Sequence, residues 1–511
     1  MERQDKEARL YRERLLGDAH RPGYHFTVPD GNGMPGDPNG AFFAAGRYHL
    51  MYLYRNEATG GFHWGHVSSA DLLHWIHHSD ALVIEAGDEG CFSGGGFLDD
   101  DGTAYLSFWK FRAKAAEGDA GGIAIAWSKP PYETWHRMPQ LAVEGSRALW
   151  GMAEIDGKLI GCADPSNIWK ENGVYYLQAG NKEVLDRYGR ADGAPDVFRG
   201  DWTELYRSED LKAWHWAGRF YQRLKDGATL DSEDDMCPSF LPLPDAKAGG
   251  RWTGKYLQLF ISHNRGCQYY IGEMRDQRFY PATHGRMSWT DDTVFAPEAC
   301  IDNKSRHLMW AWLRDDLPGQ FETWGWCGVY TLPRVLWLRE NGTLGIAPAG
   351  ELEALRTEKM ETPCIVDRPE GKRYALPSPG VCEIQVTCAS PESGCTLRFM
   401  ERENGDHVTA GYDPVKECLF VDAVNSGSCQ RAVREEAPLA LAEGEPLRLT
   451  VYLDQSVVEL FANDRQAIVR RVYNSAPVCA YVTLMGTETS LCAWALGGII
   501  VDSVKEGGST S

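Results

Sequence analysis

No apolar run in this chain approaches the ~20 residues that a membrane helix needs. Residues 496–501 are apolar but far too few. The first eighteen residues, MERQDKEARLYRERLLGD, are charged throughout and hold no signal-peptide core. A cytoplasmic location is the expectation, with no membrane partner. Basic residues are in deficit: Lys plus Arg is 52 against 72 Asp plus Glu, a formal net charge of −20. A surface of that sign repels nucleic acid and anionic lipid, which excludes a phosphate-rich polymer as the main partner. There is no CxxC among the 14 cysteines, which run singly from Cys91 to Cys492. They read as reduced thiols used as small hydrophobes, not as a zinc site or a disulfide frame. Helical periodicity is missing after one amphipathic segment at the start, marked by Leu10, Leu15 and Leu16.

In its place come short runs rich in aromatic and β-branched side chains. Examples are AFFAAGRYHLMYLY, GTAYLSFWKF, GVYYLQAG, YLQLFISH, QYYIGEM and HLMWAWL. Gly, Asp, Asn and Pro clusters separate them, the pattern of strands and turns. That spacing predicts an all-β sandwich, barrel or propeller. The 511 residues suggest two to four domains at the usual ~100–200 residues each. Tryptophan thins sharply after Trp337, and a second regime starts near residue 350. The expected organisation is an N-terminal helical extension over 1–20, an all-β domain over 21–350, a linker over 351–374 and a β-sandwich over 375–505.

Three acidic turns stand out. Gly31–Gly36 is formally GxGxxG, but no helix follows and a proline interrupts it, so it is not a dinucleotide loop. Behind it lies Asp37-Pro38-Asn39-Gly40, which taken alone is a β-turn. Asp164 sits in CADPSN, and four carboxylates crowd DSEDDMCPSF. The three turns are roughly 130 and 70 residues apart, each beside aromatic strands. Successive propeller blades that each send one carboxylate to a central funnel would give this arrangement. Glycoside hydrolysis needs one carboxylate as nucleophile and one carboxylic acid as proton donor. Burial and carboxylate crowding raise the acid's pKa. Tryptophan and tyrosine supply flat apolar faces with a polar edge, which suit sugar rings.

With these residues in hand the chain resembles glycoside hydrolase family 32, the invertases, inulinases and levanases. RPGYHFTVPDGNGMPGDPNG (21–40) is similar to that family's RPxYHFTPxxGWMNDPNG. WGHVSSADLLHW (64–75) follows WGHAxSxDLxHW, CFSGGGF (91–97) the FSGS motif, CADPSN the RDP motif and MCPSFLPL (236–243) the ECPDFFPL motif. WTDDTVFAPEA and WGWCGVYTLPRVLWL fit the last propeller blade, and VYLDQSVVELFANDRQAIVRRVY (451–473) the sandwich signature. The resemblance spans 21–500 in order. It implies a five-bladed β-propeller followed by a β-sandwich, and hydrolysis or transfer of β-fructofuranosyl groups with retention. It implies Asp37 as nucleophile, Asp164 as the aspartate that binds sugar hydroxyls in the transition state, and no metal or organic cofactor. Asn39, Trp64, Phe92 and Ser93 come with the matched motifs as sugar contacts. Asp454 and Glu459, in the sandwich signature, read as structural. The sandwich packs on the propeller or mediates a homodimer, and the sequence leaves both open.

The departures are as informative. The family's acid/base glutamate is here Met236, which cannot shuttle protons. Glu233 takes that role in our reading, because some relatives show the spacing E-D-x-x-C-P; Asp235 is second. The arginine of RDP is Ala163, the Trp and Asn of WMNDPNG are Met34 and Gly36, and the fructose-binding glutamine of the QYN strand end is lost at Leu53-Tyr54-Arg55. Each lost hydrogen-bond partner costs about 1–3 kcal/mol. A pocket so altered does not bind sucrose in the usual manner. Arg55, Arg265, His263 and Trp109 stand as replacement contacts. The expected substrate is a short fructose-containing oligosaccharide or a difructose anhydride; the alternatives are another furanoside, such as an arabinofuranoside, or a sugar-binding propeller without catalysis. His74-Trp75-Ile76-His77-His78 lies in a strand and is not read as a metal site, and Cys91, Cys162 and Cys237 are read as packing.

Overall fold

The computed structural model describes residues 15, 17–112, 120–191, 193–223, 232–263, 265–314, 323–365, 371–428, 431–474, 477–486 and 489–503. The helix expected over 1–18 lies almost wholly outside them. Five four-stranded antiparallel meanders follow one another and form the propeller. Blade 1 is Pro38–Ala44, Arg47–Arg55, Phe62–Ser69 and His74–Leu82. Blade 2 is Gly96–Leu98, Ala104–Phe111, Gly122–Ser128 and His136–Arg137. Blade 3 is Ala163–Pro165, Val174–Gly180, Asp201–Ser208 and Trp214–Arg223. Blade 4 is Met236–Pro244, Trp252–Ser262, Gly266–Arg275 and Arg278–Arg286. Blade 5 is Val294–Ile301, His307–Leu313, Arg334–Leu338 and Leu344–Pro348.

Inner strands read as nearly unbroken apolar runs because neighbouring blades cover both faces. Seven consecutive residues of Arg47–Arg55 are buried, as is the whole of His307–Leu313. Outer strands such as Trp214–Arg223 alternate, since water bathes one face. Four innermost strands carry a bulge near their start. The register shifts between Asn39 and Phe42, Ala163 and Pro165, Met236 and Ser239, and Phe295 and Pro297. Each bulge holds a positive-φ residue: Gly40, Asp164, Cys237 or Ala296. A bulge re-aims the side chains beside it, here toward the funnel. Blade 2 uses glycine instead. A Cβ on Gly95 would lie 2.2 Å from the Asn167 amide nitrogen, and one on Gly94 would lie 1.9 Å from the Ser107 carbonyl oxygen.

Buried polar clips lock blade to blade. Asn167 of blade 3 donates to the Phe240 carbonyl (3.0 Å) and accepts the Phe240 N–H (2.8 Å). Glu298 of blade 5 accepts the Ala41 N–H at 2.7 Å. The ring closes where Val28 and Tyr330 exchange backbone hydrogen bonds with Gly328 and Phe26.

The second domain is a sandwich of two six-stranded antiparallel sheets. The expected linker is part of it. Arg356–Ile365 is an edge strand paired with Thr489–Leu496, and Lys372–Ala375 pairs with Tyr481–Gly486 in the other sheet. Past the sandwich the chain returns to the propeller, and Ile500–Ser503 adds a parallel strand to the outer edge of blade 1. The described cysteines are free thiols. Asp454 and Glu459, read from sequence as structural, fasten the domains together: Asp454 accepts the N–H groups of Gly23, Tyr24 and His25, and Glu459 pairs with Arg334 at 2.7 Å.

Candidate active site

Asp37 stands at the mouth end of the first inner strand. Its carbonyl takes the Leu53 N–H and the Asn39 side-chain amide, each at 2.9 Å, and Asn39 Oδ1 accepts the Gly94 N–H at 3.1 Å. Asn39 therefore holds the turn through one of its amide hydrogens and its carbonyl oxygen. The Ser93 hydroxyl donates to Asp37 Oδ2, while Oδ1 is buried without a protein partner. Burial pushes the Asp37 pKa up to about 6, against the opposing effects of Ser93, His263 and Arg314. Asp164 occupies the bulge of blade 3. Burial and then the charge of Asp37 push its pKa up to about 7. The Cys237 thiol, from the matching bulge of blade 4, donates to Asp164 Oδ2 across 3.6 Å. Burial and the two nearby aspartates raise the pKa of that thiol well above its usual value, so it stays a donor.

Glu233 is not where a proton donor is needed. Its carboxylate takes Arg265 Nη1 (2.9 Å), Gln268 Nε2 (2.8 Å) and Arg286 Nη2 (3.4 Å). Gln268 and Arg286 belong to the third and fourth strands of blade 4, two and three strand spacings of ~4.8 Å from the inner one. Both of its oxygens are thus engaged by side chains of blade 4. Asp235 is also turned outward, buried beside Tyr221, and the crowding of Asp201 and Glu233 adds to burial in raising its pKa well above normal. Asp235 has a positive φ, and this segment sets Glu233 against the outer strands of blade 4 and Asp235 beside Tyr221 of blade 3, away from the place expected for the acid. Trp64 is corrected too. It is wholly buried in the blade 1 core and donates to the Cys91 carbonyl at 3.0 Å, so it touches no sugar.

Phe92 and Trp109 do meet, at 5.6 Å, and Trp150 stacks on Trp109 at 5.9 Å and 9°. Trp150 is 51% exposed, an open aromatic face that sequence reasoning missed. It also lines a pocket of about 310 Å³ with Glu183, Asp186 and Arg187. Arg55 is exposed at the mouth end of blade 1, with its Nε 3.4 Å from the Gly60 carbonyl.

The same topological position recurs around the ring. Just past the second strand of blades 3, 4 and 5 stand Glu183, His263 and Arg314. His263 and Arg314 act electrostatically on Asp37, and His263 and Glu183 on Asp164. Burial raises the Glu183 pKa. Among the described residues no group of three or more His, Cys, Asp or Glu is arranged to hold a metal ion. In the His74–His78 run, His74 pairs with Asp71, His77 with Tyr52 and Asp30, and His78 with Ser68.

Two family descriptions match this chain, the Glycosyl hydrolases family 32 N-terminal domain over residues 25–348 and the family 32 C terminal over 351–493. The chain belongs to glycoside hydrolase family 32. It is a glycosidase by that membership. Levanase of Bacillus subtilis (strain 168) is 27% identical over 481 residues, covering 88% of this chain and 66% of that protein. Sucrose-6-phosphate hydrolase of Zymomonas mobilis (strain ATCC 31821 / ZM4 / CP4) is 26% identical over 476 residues, covering 89% and 86%. The crystal structure of fructan 1-exohydrolase IIa from Cichorium intybus shares the fold, with a TM-score of 0.74, 20% identity and coverage of 95% and 99%.

Met236 is the residue that the motif resemblance sets in the glutamate's place. It is 2% exposed and packs on blade 3, where a Cβ on Gly180 would lie 2.5 Å from its sulfur. No helix of the described residues is long and apolar enough to cross a membrane.

Proposed function

We propose that this family 32 glycosidase is a retaining, exo-acting β-fructofuranosidase. Its substrates are short fructose-containing oligosaccharides or difructose anhydrides, by hydrolysis or fructosyl transfer. The carrying observation is the buried pair of Asp37 and Asp164, set at matching strand starts and raising the local cost of negative charge. Ser93 holds one oxygen of Asp37 and leaves the other, Oδ1, free. Oδ1 attacks the anomeric carbon and forms a covalent fructosyl-enzyme. Asp164 accepts ring hydroxyls and favours the oxocarbenium-like transition state. Water or a second sugar then releases the fructosyl group. The scheme uses no metal or organic cofactor. The sucrose-6-phosphate hydrolase relative is named for a disaccharide, which supports a short substrate.

Met236 favours a second reading, a propeller that binds sugar without turnover. One experiment separates them: a panel of sucrose, kestose, inulobiose, levanbiose, difructose anhydrides and aryl arabinofuranosides, run on wild type and Asp37→Ala with products followed by chromatography. Turnover of a fructoside that vanishes in Asp37→Ala supports the proposal. Turnover of the arabinofuranosides alone names the other furanoside class. Silence, with binding still seen by calorimetry, supports the second reading.

A further inference from the structure

A double displacement on a sugar needs a proton donor, and neither Glu233 nor Asp235 faces the funnel. His263 does. It follows the second strand of blade 4 at the mouth, level with Arg314 of blade 5 and Glu183 of blade 3. Its backbone N–H donates to Asp234 Oδ2 at 3.1 Å, and its ring Nδ1 lies 3.3 Å from the same oxygen. Asp234 is fully buried and fixed in turn. Its N–H donates to Ser262 Oγ (3.3 Å), its carbonyl takes the Asn181 N–H (3.1 Å), and Arg190 stands 3.6 Å from its carboxylate. Bonding Nδ1 to a carboxylate selects the tautomer and leaves Nε2 on the opposite ring edge. The ring stands edge-on to Phe295 of blade 5 at 5.6 Å, and 40% of the side chain is open.

We propose that His263, oriented by Asp234, is the proton donor and acceptor of this enzyme, in the place the family gives to a glutamate. This deepens the fructosidase reading and rests on it. In the first step Nε2–H passes its proton to the leaving-group oxygen. The anomeric C–O bond breaks as Asp37 Oδ1 bonds to the anomeric carbon, and the imidazole becomes neutral. In the second step Nε2 takes a proton from water. The water oxygen bonds to the anomeric carbon, and Asp37 leaves as a carboxylate. An imidazolium suits this funnel better than a second acid would. Burial opposes its charge, but Asp234 and Asp164 outweigh that and outweigh Lys182, so the pKa is raised. Asp37 and Glu183 face it as well, and Arg314 lies beyond Phe295.

The test compares two leaving groups. A sugar alcohol needs protonation to depart, whereas fluoride from β-fructofuranosyl fluoride needs little. His263→Gln is expected to lose roughly 10²–10⁴-fold in kcat/KM on the sugar found in the panel and under about fivefold in kcat/KM on the fluoride, which reports only the steps through departure of the leaving group, with an unchanged thermal melt. Asp234→Asn is expected to move the basic limb of kcat/KM to lower pH, because the imidazolium loses its carboxylate. Equal losses on both substrates in His263→Gln, or none on the sugar, overturn the proposal. So does a leaving-group-selective loss in Glu183→Gln with His263→Gln intact, which makes Glu183 the donor. Wild type inert toward both compounds overturns the fructosidase reading and this proposal with it. Asp37→Ala losing both while His263→Gln loses neither leaves that reading standing and removes this one.

Discussion

His25 Nδ1 lies 2.9 Å from Asp454 Oδ2, 429 positions away along the chain. The same carboxylate caps three successive N–H groups at residues 23–25, and His25 Nε2 reaches Glu459 at 3.3 Å. Glu459 also takes the Leu332 N–H and Arg334. One buried charge network therefore joins the propeller's entry strand, its last blade and the sandwich.

Asp454→Ala is expected to cost on the order of 3–5 kcal/mol, because it strands a buried histidine and three N–H groups. Burial works against the His25 cation, but Asp454 and Glu459 prevail and its pKa is raised. The pair's contribution is therefore full below the unfolded histidine value of about 6.5. It is lost as pH rises through the higher folded value. Urea midpoints of wild type and variant, measured across pH 5–9, check both statements. A difference that stays flat or grows with pH would contradict the charge argument.

Asp37 and Asp164 give a slope of the same sign at lower pH. Their folded pKa values are raised, so the native state binds more protons than the unfolded chain as pH climbs from about 4 to about 7. Stability falls across that window. Asp164→Asn is expected to be more stable than wild type at pH 8 by on the order of 3–4 kcal/mol, at about 1.4 kcal/mol per pKa unit. The gap should close near pH 4, while activity is lost. Thermal melts at the two pH values measure it.

Why some of this was legible from sequence and some not follows from particular residues. Asp37 and Asp164 were legible because each begins a short aromatic strand, where a propeller's strand starts meet. Where Glu233 and Asp235 lie was not, because a positive-φ residue turns a neighbouring side chain to the other face. Asp235 and Cys237 both have such angles, and Glu233 lands among the outer strands. Trp64 was misread because a tryptophan in a strand does not announce which face it takes. Arg356–Ile365 resembled a linker because an edge strand can be charged on its open side, as in RTEKMET. Trp150 and Glu183 sit in segments without periodicity. The signal that finds Glu183, His263 and Arg314 is positional: each lies just past the second strand of its blade.

Glu298 gives a test of how the ring holds Asp37. Burial raises its pKa well above normal, against backbone N–H donation from Ala41, Gly96 and Ala299. A neutral carboxyl in that place resembles an amide. Glu298→Gln is expected to fold within about 1 kcal/mol of wild type. Glu298→Ala leaves those donors bare around a cavity and should cost roughly 2–5 kcal/mol. It should also lower kcat, since Ala41 is four residues from Asp37. Denaturant curves and steady-state rates on the pair decide this. Equal damage by both variants would mean that the charge of Glu298, not its acceptor oxygen, does the work.

Trp150 tests the sugar platform. Its ring lies parallel to Trp109 and edge-on to Phe111 at 5.8 Å, with one face open beside the pocket that Glu183 lines. Stacking on an exposed aromatic face stabilises ground state and transition state alike, because it does not touch the reacting carbon. Uniform binding of that kind changes KM and leaves kcat alone. Trp150→Ala is therefore expected to raise KM roughly 5–20-fold, a loss of about 1–2 kcal/mol, with kcat within about twofold. Trp150→Phe keeps a flat ring and should recover most of the affinity. If kcat falls instead and KM holds, the ring positions the reacting sugar rather than the leaving group. Trp150 would then belong beside Asp37 and Asp164 in the chemistry, not at the entrance to it.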